Sequence, residues 1–267
     1  MRGMLDYYLT QMKIAVLQQF QYPVANYFYM IGMIAEPVIY LVVWSTVARA
    51  QGGTAGGYTP GDFAAYYIVW TLVRNMNIVF TPYGWEWRIQ RGELSAILLQ
   101  PIHPLHRDLA FFAGWKLVVI ILWLPIAIAL SVLFQPDLDP RPIDVAVFAF
   151  AIWGAYLVRT LTYAVLGMVT FWTMRVQPII QIVMTLELLL SGRLVPLSLM
   201  PDWAQSLADV LPFKWTFGFP IETLVGRLPD AELLGGLLTQ LLWIAIGMLA
   251  LRSIWPIAVR RYSAVGA

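Results

Sequence analysis

The chain has 267 residues, of which 60% are apolar and only 12% are charged, and its mean hydropathy is +0.70. An ordinary soluble domain carries about 25% charged residues, so this polypeptide cannot cover its own core with polar surface and its outside must face lipid. A net charge of +2 argues against nucleic acid as a main partner, and the lack of cysteine excludes disulfides and thiolate metal sites.

Residues 1–22 are predicted to form an amphipathic helix that lies in the membrane interface. Apolar side chains recur at steps of three or four residues, opposite a polar side that carries Asp6 and Lys13. The apolar side includes Leu5, Tyr8, Met12 and Ala15. Two interpretations stay open: a simple topology anchor, or a connecting helix that also touches a cytoplasmic partner.

Six long apolar runs are each predicted to cross the membrane as an α-helix. About 20 apolar residues in a helix span the hydrocarbon core, where lipid offers the backbone no other hydrogen-bond partner. The runs cover residues 25–48, 63–81, 111–134, 145–172, 176–191 and 233–259. The sequence therefore predicts an all-α polytopic membrane protein, a single transmembrane domain over residues 1–267, with bends at Pro37 and Pro178.

The distribution of basic residues predicts that both termini are cytoplasmic. With the N-terminus inside, five of the seventeen Lys and Arg residues fall in outer segments, Arg193 among them, while Arg74 and Arg159 lie within spans. The other ten are counted with the inner segments, including Lys116 and Arg252 at the inner ends of their spans. Cytoplasmic loops carry the excess of basic residues in membrane proteins. We therefore expect a multi-pass protein of the cell membrane.

The inner segment 82–108 is too apolar for a simple connection. It contains a short helical pattern over residues 93–100, which Pro101 stops. Leu94, Ile97 and Leu98 share one face of this helix. Burial of that face at the membrane edge needs a partner protein or lipid head groups, so a docking helix and an interfacial helix resting on lipid are the two alternatives.

The outer segment 192–230 is predicted to re-enter the membrane. Residues 194–201 are apolar but interrupted by proline, and non-helical backbone at that depth needs protein or a water-filled cavity around it. Residues 202–211 then read as a short helix with Asp202 near its N-terminus, which the helix dipole favours, and Pro212 ends the pattern.

Four charged residues, Glu36, Arg74, Arg159 and Glu187, fall inside the predicted spans and are not counted with either side of the membrane. Each costs on the order of 2.5–3.5 kcal/mol at mid-bilayer if it faces lipid. Two acids and two bases therefore favour pairing inside the helix bundle. They are interpreted either as ion pairs that fix helix packing or as the polar lining of a translocation path.

Motifs for nucleotide and metal chemistry are missing. The glycine-rich residues 52–57 lack the lysine of a phosphate-binding loop, and neither a zinc-protease motif nor a serine nucleophile elbow occurs. Pro104 separates the only two histidines, His103 and His106, and no third ligand accompanies them. We therefore expect no enzymatic activity, no metal and no cofactor in this chain.

The stretch 91–104, RGELSAILLQPIHP, carries a family resemblance together with residues 194–212 and the N-terminal helix. The chain resembles the permease subunits of type-2 ATP-binding-cassette exporters, in particular the stand-alone six-span bacterial permeases. The resemblance identifies residues 91–104 with the coupling helix, residues 194–212 with the extracellular re-entrant helices, and residues 1–22 with the connecting helix of that family.

The resemblance also implies partners. Two permeases, identical or different, would pair with two cytoplasmic ATPase subunits that bind ATP and Mg²⁺, and cargo would leave outward or be extracted from membrane lipid. Apolar residues and Glu93 would insert into an ATPase groove while two arginines steer the contact. The residues implied for this contact are Arg88, Arg91, Glu93, Leu94, Ile97 and Leu98. Drugs, lipids, polysaccharides and ions all fit as cargo.

Two other function classes compete with this interpretation. An ion-coupled secondary transporter would normally show an internal repeat with broken helices, and we find none between residues 1–135 and 136–267. A membrane-embedded enzyme acting on a lipid would need a nucleophile, base or metal, and the candidate residues are scattered along the chain.

Overall fold

The computed structural model describes residues 2–21, 23–79, 83–173 and 175–262. These residues form an all-α structure, and no strand occurs among them. The helices are α1 (Arg2–Gln21), α2 (Pro23–Ala50), α3 (Pro60–Met76), α4 (Gly84–Gln90), α5 (Glu93–Leu98), α6 (Pro104–Phe134), α7 (Pro142–Gly167), α8 (Thr170–Thr173), α9 (Gln177–Leu190), α10 (Asp202–Val210), α11 (Pro212–Thr216), α12 (Gly218–Val225) and α13 (Asp230–Arg261).

Four helical stretches are long and apolar enough to cross a membrane: Val24–Ala50, Pro104–Phe134, Pro142–Thr173 and Asp230–Arg261. The predicted all-α polytopic class is thereby confirmed. The second predicted span is helical only as far as Met76, and its residues 80 and 81 lie outside the described part of the chain, while the fifth corresponds to α9. Helix α3 has 17 residues and α9 has 14, fewer than the roughly 20 that a simple crossing needs. A count of six spans stays a prediction.

Helix α3 forms the centre of the bundle. Its side chains are buried along most of its length, and Phe63, Tyr66, Tyr67 and Trp70 are fully enclosed. The helix begins at a capping box in which the Thr59 hydroxyl and the Asp62 carboxylate satisfy each other's backbone N–H groups. By contrast, α2, α6 and α13 expose apolar side chains on their outer faces, as helices that contact lipid do.

The N-terminal helix α1 packs against α6. A Cβ atom on Gly114 would lie 2.5 Å from the carbonyl oxygen of Met12, so glycine is required where the two backbones meet. Ala15 is fully buried in this contact, whereas Leu9 and Phe20 remain exposed. The helix thus uses one apolar side against the protein and leaves another open, which suits a position in the membrane interface.

Prolines occur both inside the helices and in their first turns. Pro37 lies inside α2, and Pro125 and Pro256 lie inside α6 and α13. Pro178 is in the first turn of α9, where its missing N–H is not needed. The prediction that Pro178 bends a helix is therefore wrong, because the residue begins one.

The segment after α9 folds back against α2 and α3. Tyr66 and Tyr67 donate hydrogen bonds to the carbonyl oxygens of Gly192 (2.8 Å) and Leu194 (2.9 Å), and the Trp44 indole donates to Leu194 at 3.2 Å. Side chains of the bundle thus satisfy the irregular backbone, as expected for a segment at membrane depth. The predicted short helix is confirmed as α10, and Pro212 also begins α11.

Candidate functional site

The four charged residues predicted inside the spans form two ion pairs. Glu36 on α2 pairs with Arg74 on α3. Arg159 on α7 and Glu187 on α9 form a bidentate pair, with Nε to Oε1 at 2.8 Å and Nη2 to Oε2 at 2.9 Å. The predicted pairing of two acids with two bases is confirmed, and it ties together four different helices.

A third arginine joins the two pairs. The Nη atoms of Arg193 lie 3.7 Å from Oε1 of Glu36 and 3.8 Å from Oε2 of Glu187. Its guanidinium also lies over the rings of Phe217 and Trp70, 5.1 and 5.9 Å from their centroids. Three arginines thus share two carboxylates, and the five side chains carry a formal charge of +1. We refer to Glu36, Arg74, Arg159, Glu187 and Arg193 as the charge network.

Hydrogen bonds extend the charge network into the backbone. Tyr163 donates to Oε2 of Glu187 at 2.8 Å, and Arg159 Nη1 donates to the carbonyl oxygen of Asn77 at 2.5 Å. The Asn77 side chain in turn donates to the carbonyl oxygen of Thr216 at 2.5 Å. The charged centre is therefore coupled to the end of α3 and to α11.

The sequence did not reveal two of the buried cations. Arg193 follows α9 and counted as an outer-loop residue, and Lys116 counted as an inner-segment residue. In the structure Lys116 is fully buried, donates to the carbonyl oxygen of Ile78 at 2.7 Å, and lies 3.8 Å from the centroid of the Tyr156 ring. The signal that could have found Lys116 is the uninterrupted apolar sequence on both sides of it.

The charge network is closed at one end and open at the other. The side chain of Glu187 is 1% exposed, whereas those of Arg193, Arg74 and Glu36 are 13%, 19% and 32% exposed. A carboxylate that opened directly onto hydrocarbon would be costly. The Glu36 end must therefore meet water or another protein surface when the chain is in a membrane.

Two short helices, α4 and α5, lie directly before the first turn of α6. We refer to them as the α4–α5 hairpin. Gly92 joins them in a left-handed conformation at φ 71°, which glycine adopts without strain. Leu94 is fully buried in a cluster with Trp85, Met168 and Phe171. The hairpin therefore rests on the end of α7 and on α8.

A buried ion pair also fixes the hairpin. Arg88 Nη1 and Nη2 donate to the two carboxylate oxygens of Asp108 at 2.9 and 2.7 Å, and both residues are buried. This pair joins α4 to the first turns of α6. Arg88 and Leu94, two of the residues implied for the ATPase contact, are thus both enclosed within this chain, and their part in that contact stays a prediction.

The outer side of the hairpin is accessible. Arg91 and Glu93 are exposed, Ile97 and Leu98 are partly exposed, and Leu99 is 88% exposed. The sequence prediction omitted Leu99, because the last turn of so short a helix does not show which side faces the protein. Four of the six residues implied for an ATPase contact are thus presented to the outside, with Leu99 beside them.

These features place the chain in the class of polytopic α-helical membrane proteins: apolar helices long enough to cross a membrane, a charge network inside the bundle, and a helical hairpin anchored at one end. Residues 34–266 match the model of the family described as ABC-2 family transporter protein, and the chain belongs to this family. The chain is therefore a permease of an ATP-binding-cassette transporter, in agreement with the resemblance read from residues 91–104. No curated protein matches the sequence significantly.

Proposed function

We propose that this permease forms half of the translocation path of an exporter and that a separate cytoplasmic ATPase drives it. The observation that carries the proposal is the outer side of the α4–α5 hairpin, which presents exposed Leu99 at one end of α5 and exposed Arg91 and Glu93 at the other. An exposed apolar side chain of this size with charges around it is typical of a protein contact. ATP and Mg²⁺ would bind to the ATPase, and this chain would perform no hydrolysis.

The anchoring of the hairpin supports a mechanical role. Leu94 joins α5 to the Met168 and Phe171 region, and the Arg88–Asp108 pair joins α4 to α6. A closely packed core and a buried bidentate pair transmit displacement rather than absorb it. Movement of a docked ATPase would therefore shift the inner ends of α6, α7 and α13 together, with both termini on the cytoplasmic side.

The open end of the charge network supports a path shared with a second permease. Glu36 and Arg74 on α2 and α3 are the most exposed members of the network, and a second copy or a related chain would cover them. The formal charge of +1 would make the path favourable for cargo that carries an acidic or electron-rich group. Export, either from the cytoplasm or out of the membrane, is the direction that we propose.

Co-purification tests the proposal. The affinity-tagged chain is expressed in its host, and an ATP-binding-cassette ATPase in the eluate is identified and quantified by mass spectrometry. We expect Leu99→Asp to reduce the recovered ATPase at least about tenfold, because a charge replaces an apolar contact of roughly 1.5–3 kcal/mol. The matched control is Leu138→Asp, an exposed leucine between α6 and α7, at the opposite end of α6 from the hairpin.

The result that contradicts the proposal is unchanged ATPase recovery with Leu99→Asp at normal membrane expression. Loss of ATPase with both variants would indicate a general folding defect and would also count against a specific contact at the hairpin.

A further inference from the structure

A groove of about 470 Å³ runs along the surface between α6, α7 and α13. One end is apolar and is lined by Leu157 and Leu161 of α7 and by Ile244 and Met248 of α13. The other end is lined by His103, His106, Arg252 and Trp255. This second end lies at the first turn of α6 and toward the C-terminal end of α13, beside the α4–α5 hairpin.

The length of the groove matches one leaflet of a bilayer. Ile244 and Trp255 are eleven positions apart on α13, which corresponds to about 16 Å at 1.5 Å per residue. Half of the roughly 30 Å hydrocarbon thickness is about 15 Å. The apolar end therefore lies near the middle of the membrane when the polar end lies at the interface, and Trp255 occupies the level at which tryptophan is enriched.

The polar end carries a hydrogen-bond donor without an acceptor. His103 Nδ1 accepts the backbone N–H of Leu105 at 3.2 Å, and burial next to His106 lowers the pKa of His103 to about 4. The ring is therefore neutral at physiological pH, and its proton is on Nε2. Nε2 is buried and has no hydrogen-bond partner among the described residues, a situation that ordinarily costs about 1–3 kcal/mol.

Two further groups at this end favour an anion. Tyr8 OH lies 2.7 Å from His106 Nδ1, and when the hydroxyl donates, His106 Nε2 carries a proton that it can donate in turn. Arg252 is exposed at the rim of the groove. No Asp or Glu is among the described residues that line the groove. The rim thus offers donors and positive charge above an apolar channel.

We propose that this groove binds one anionic phospholipid of the cytoplasmic leaflet. One of its two acyl chains would lie against Leu161 and Met248. Its phosphate and ester oxygens would accept hydrogen bonds from Arg252 and His106, and from His103 after the imidazole turns its Nε2 edge into the groove. A lipid combines a long apolar tail with acceptor oxygens at one end, and it is the molecule that surrounds this face of the chain. The proposal depends on the predicted orientation, in which the first turn of α6 and the C-terminal end of α13 lie on the cytoplasmic side. It does not depend on nucleotide-driven transport.

Native mass spectrometry of the delipidated full-length chain tests the head-group part. The chain is titrated with phosphatidylglycerol and, separately, with phosphatidylcholine that has the same acyl chains. We expect tighter binding of phosphatidylglycerol and a loss of about fivefold in its affinity with Arg252→Gln, because one basic residue contributes about 1 kcal/mol toward an anionic lipid. Arg260→Gln, two turns further along α13 and also exposed, is the matched control and should change the affinity less than about twofold.

A second pair of variants tests the tail part without changing charge. Met248→Trp should fill the groove and reduce bound lipid several-fold, whereas Leu249→Trp, on an exposed neighbouring position that does not line the groove, should not. Equal affinity for the two lipids, equal effects of Arg252→Gln and Arg260→Gln, or equal effects of the two tryptophan variants would each overturn the proposal. Because no ATPase is present in this measurement, failure here would leave the exporter proposal standing.

Discussion

Neutralising Glu187 should destabilise the permease far more than neutralising Glu36. Glu187 is 1% exposed and accepts two hydrogen bonds from Arg159 and one from Tyr163, whereas Glu36 is 32% exposed. Glu187→Gln leaves the Arg159 charge buried without its counter-ion, which typically costs about 3–5 kcal/mol. A pair that reaches solvent contributes about 0–1 kcal/mol, so Glu36→Gln should cost no more than that.

The assay is thermal unfolding of the purified chain in one detergent at one pH. For a chain of this size, 1 kcal/mol shifts Tm by about 2–4 °C. We therefore expect Tm to fall by about 6–20 °C in Glu187→Gln and by about 4 °C or less in Glu36→Gln. Replacing both partners, with Arg159→Leu and Glu187→Leu together, should recover part of the loss because no unpaired charge remains from the pair.

Equal Tm shifts in the two single variants would refute this reasoning. That result would mean that the burial of Glu187 does not determine how much stability is lost when its carboxylate is neutralised. Transport by Glu36→Gln supplies an independent measurement: a stable variant with reduced export would indicate that the open end of the charge network contacts cargo, and normal export would indicate a packing role.

Three further predictions follow from the packing. Asp108→Asn leaves Arg88 buried without a counter-ion and should lower Tm by about 6 °C or more while reducing ATPase co-purification, since the α4–α5 hairpin loses its link to α6; normal values of both would contradict the anchoring role. Gly114→Val places side-chain atoms against the Met12 backbone and should loosen α1, measured as faster proteolysis of the N-terminal helix; an unchanged cleavage rate would show that the close approach is not required. Partial burial raises the pKa of Glu222 to about 7, so protonation of this carboxyl group stabilises the folded state. The stabilisation is present at pH 5 and is lost as the pH rises through 7. Glu222→Gln should remove the contribution of this carboxyl group to the Tm difference between pH 5 and pH 8. An unaltered Tm difference would contradict the prediction.

The sequence predicts most of the helices, but it predicts less about the contacts between side chains inside the bundle. Apolar runs predict crossing helices because each must satisfy its own backbone in lipid, and the end of α10 at Pro212 follows from the same local rules. The pairing of intramembrane charges follows from the energy of isolated charges. Which acid pairs with which base depends on helix neighbours and is fixed only by the fold.

The incorrect and missing predictions have a common origin. Lys116 and Arg193 were assigned by their position along the chain, whereas their burial depends on how segments fold back in space. The six residues of α5 make fewer than two turns, so nothing local shows that Leu94 faces inward and Leu99 outward. Arg88 finds Asp108 twenty residues later, a contact that no helical periodicity predicts.

In the exporter that we propose, the hydrogen bonds from Trp44, Tyr66 and Tyr67 to the backbone after α9 would restrict how the exit opens. Three donors on α2 and α3 hold two carbonyl groups of one stretch of chain, so that stretch cannot swing away as an independent flap. The stretch would instead travel together with α2 and α3. Release of cargo would then require two such blocks to separate, and the seam between subunits, rather than a hinge within one of them, would be the gate.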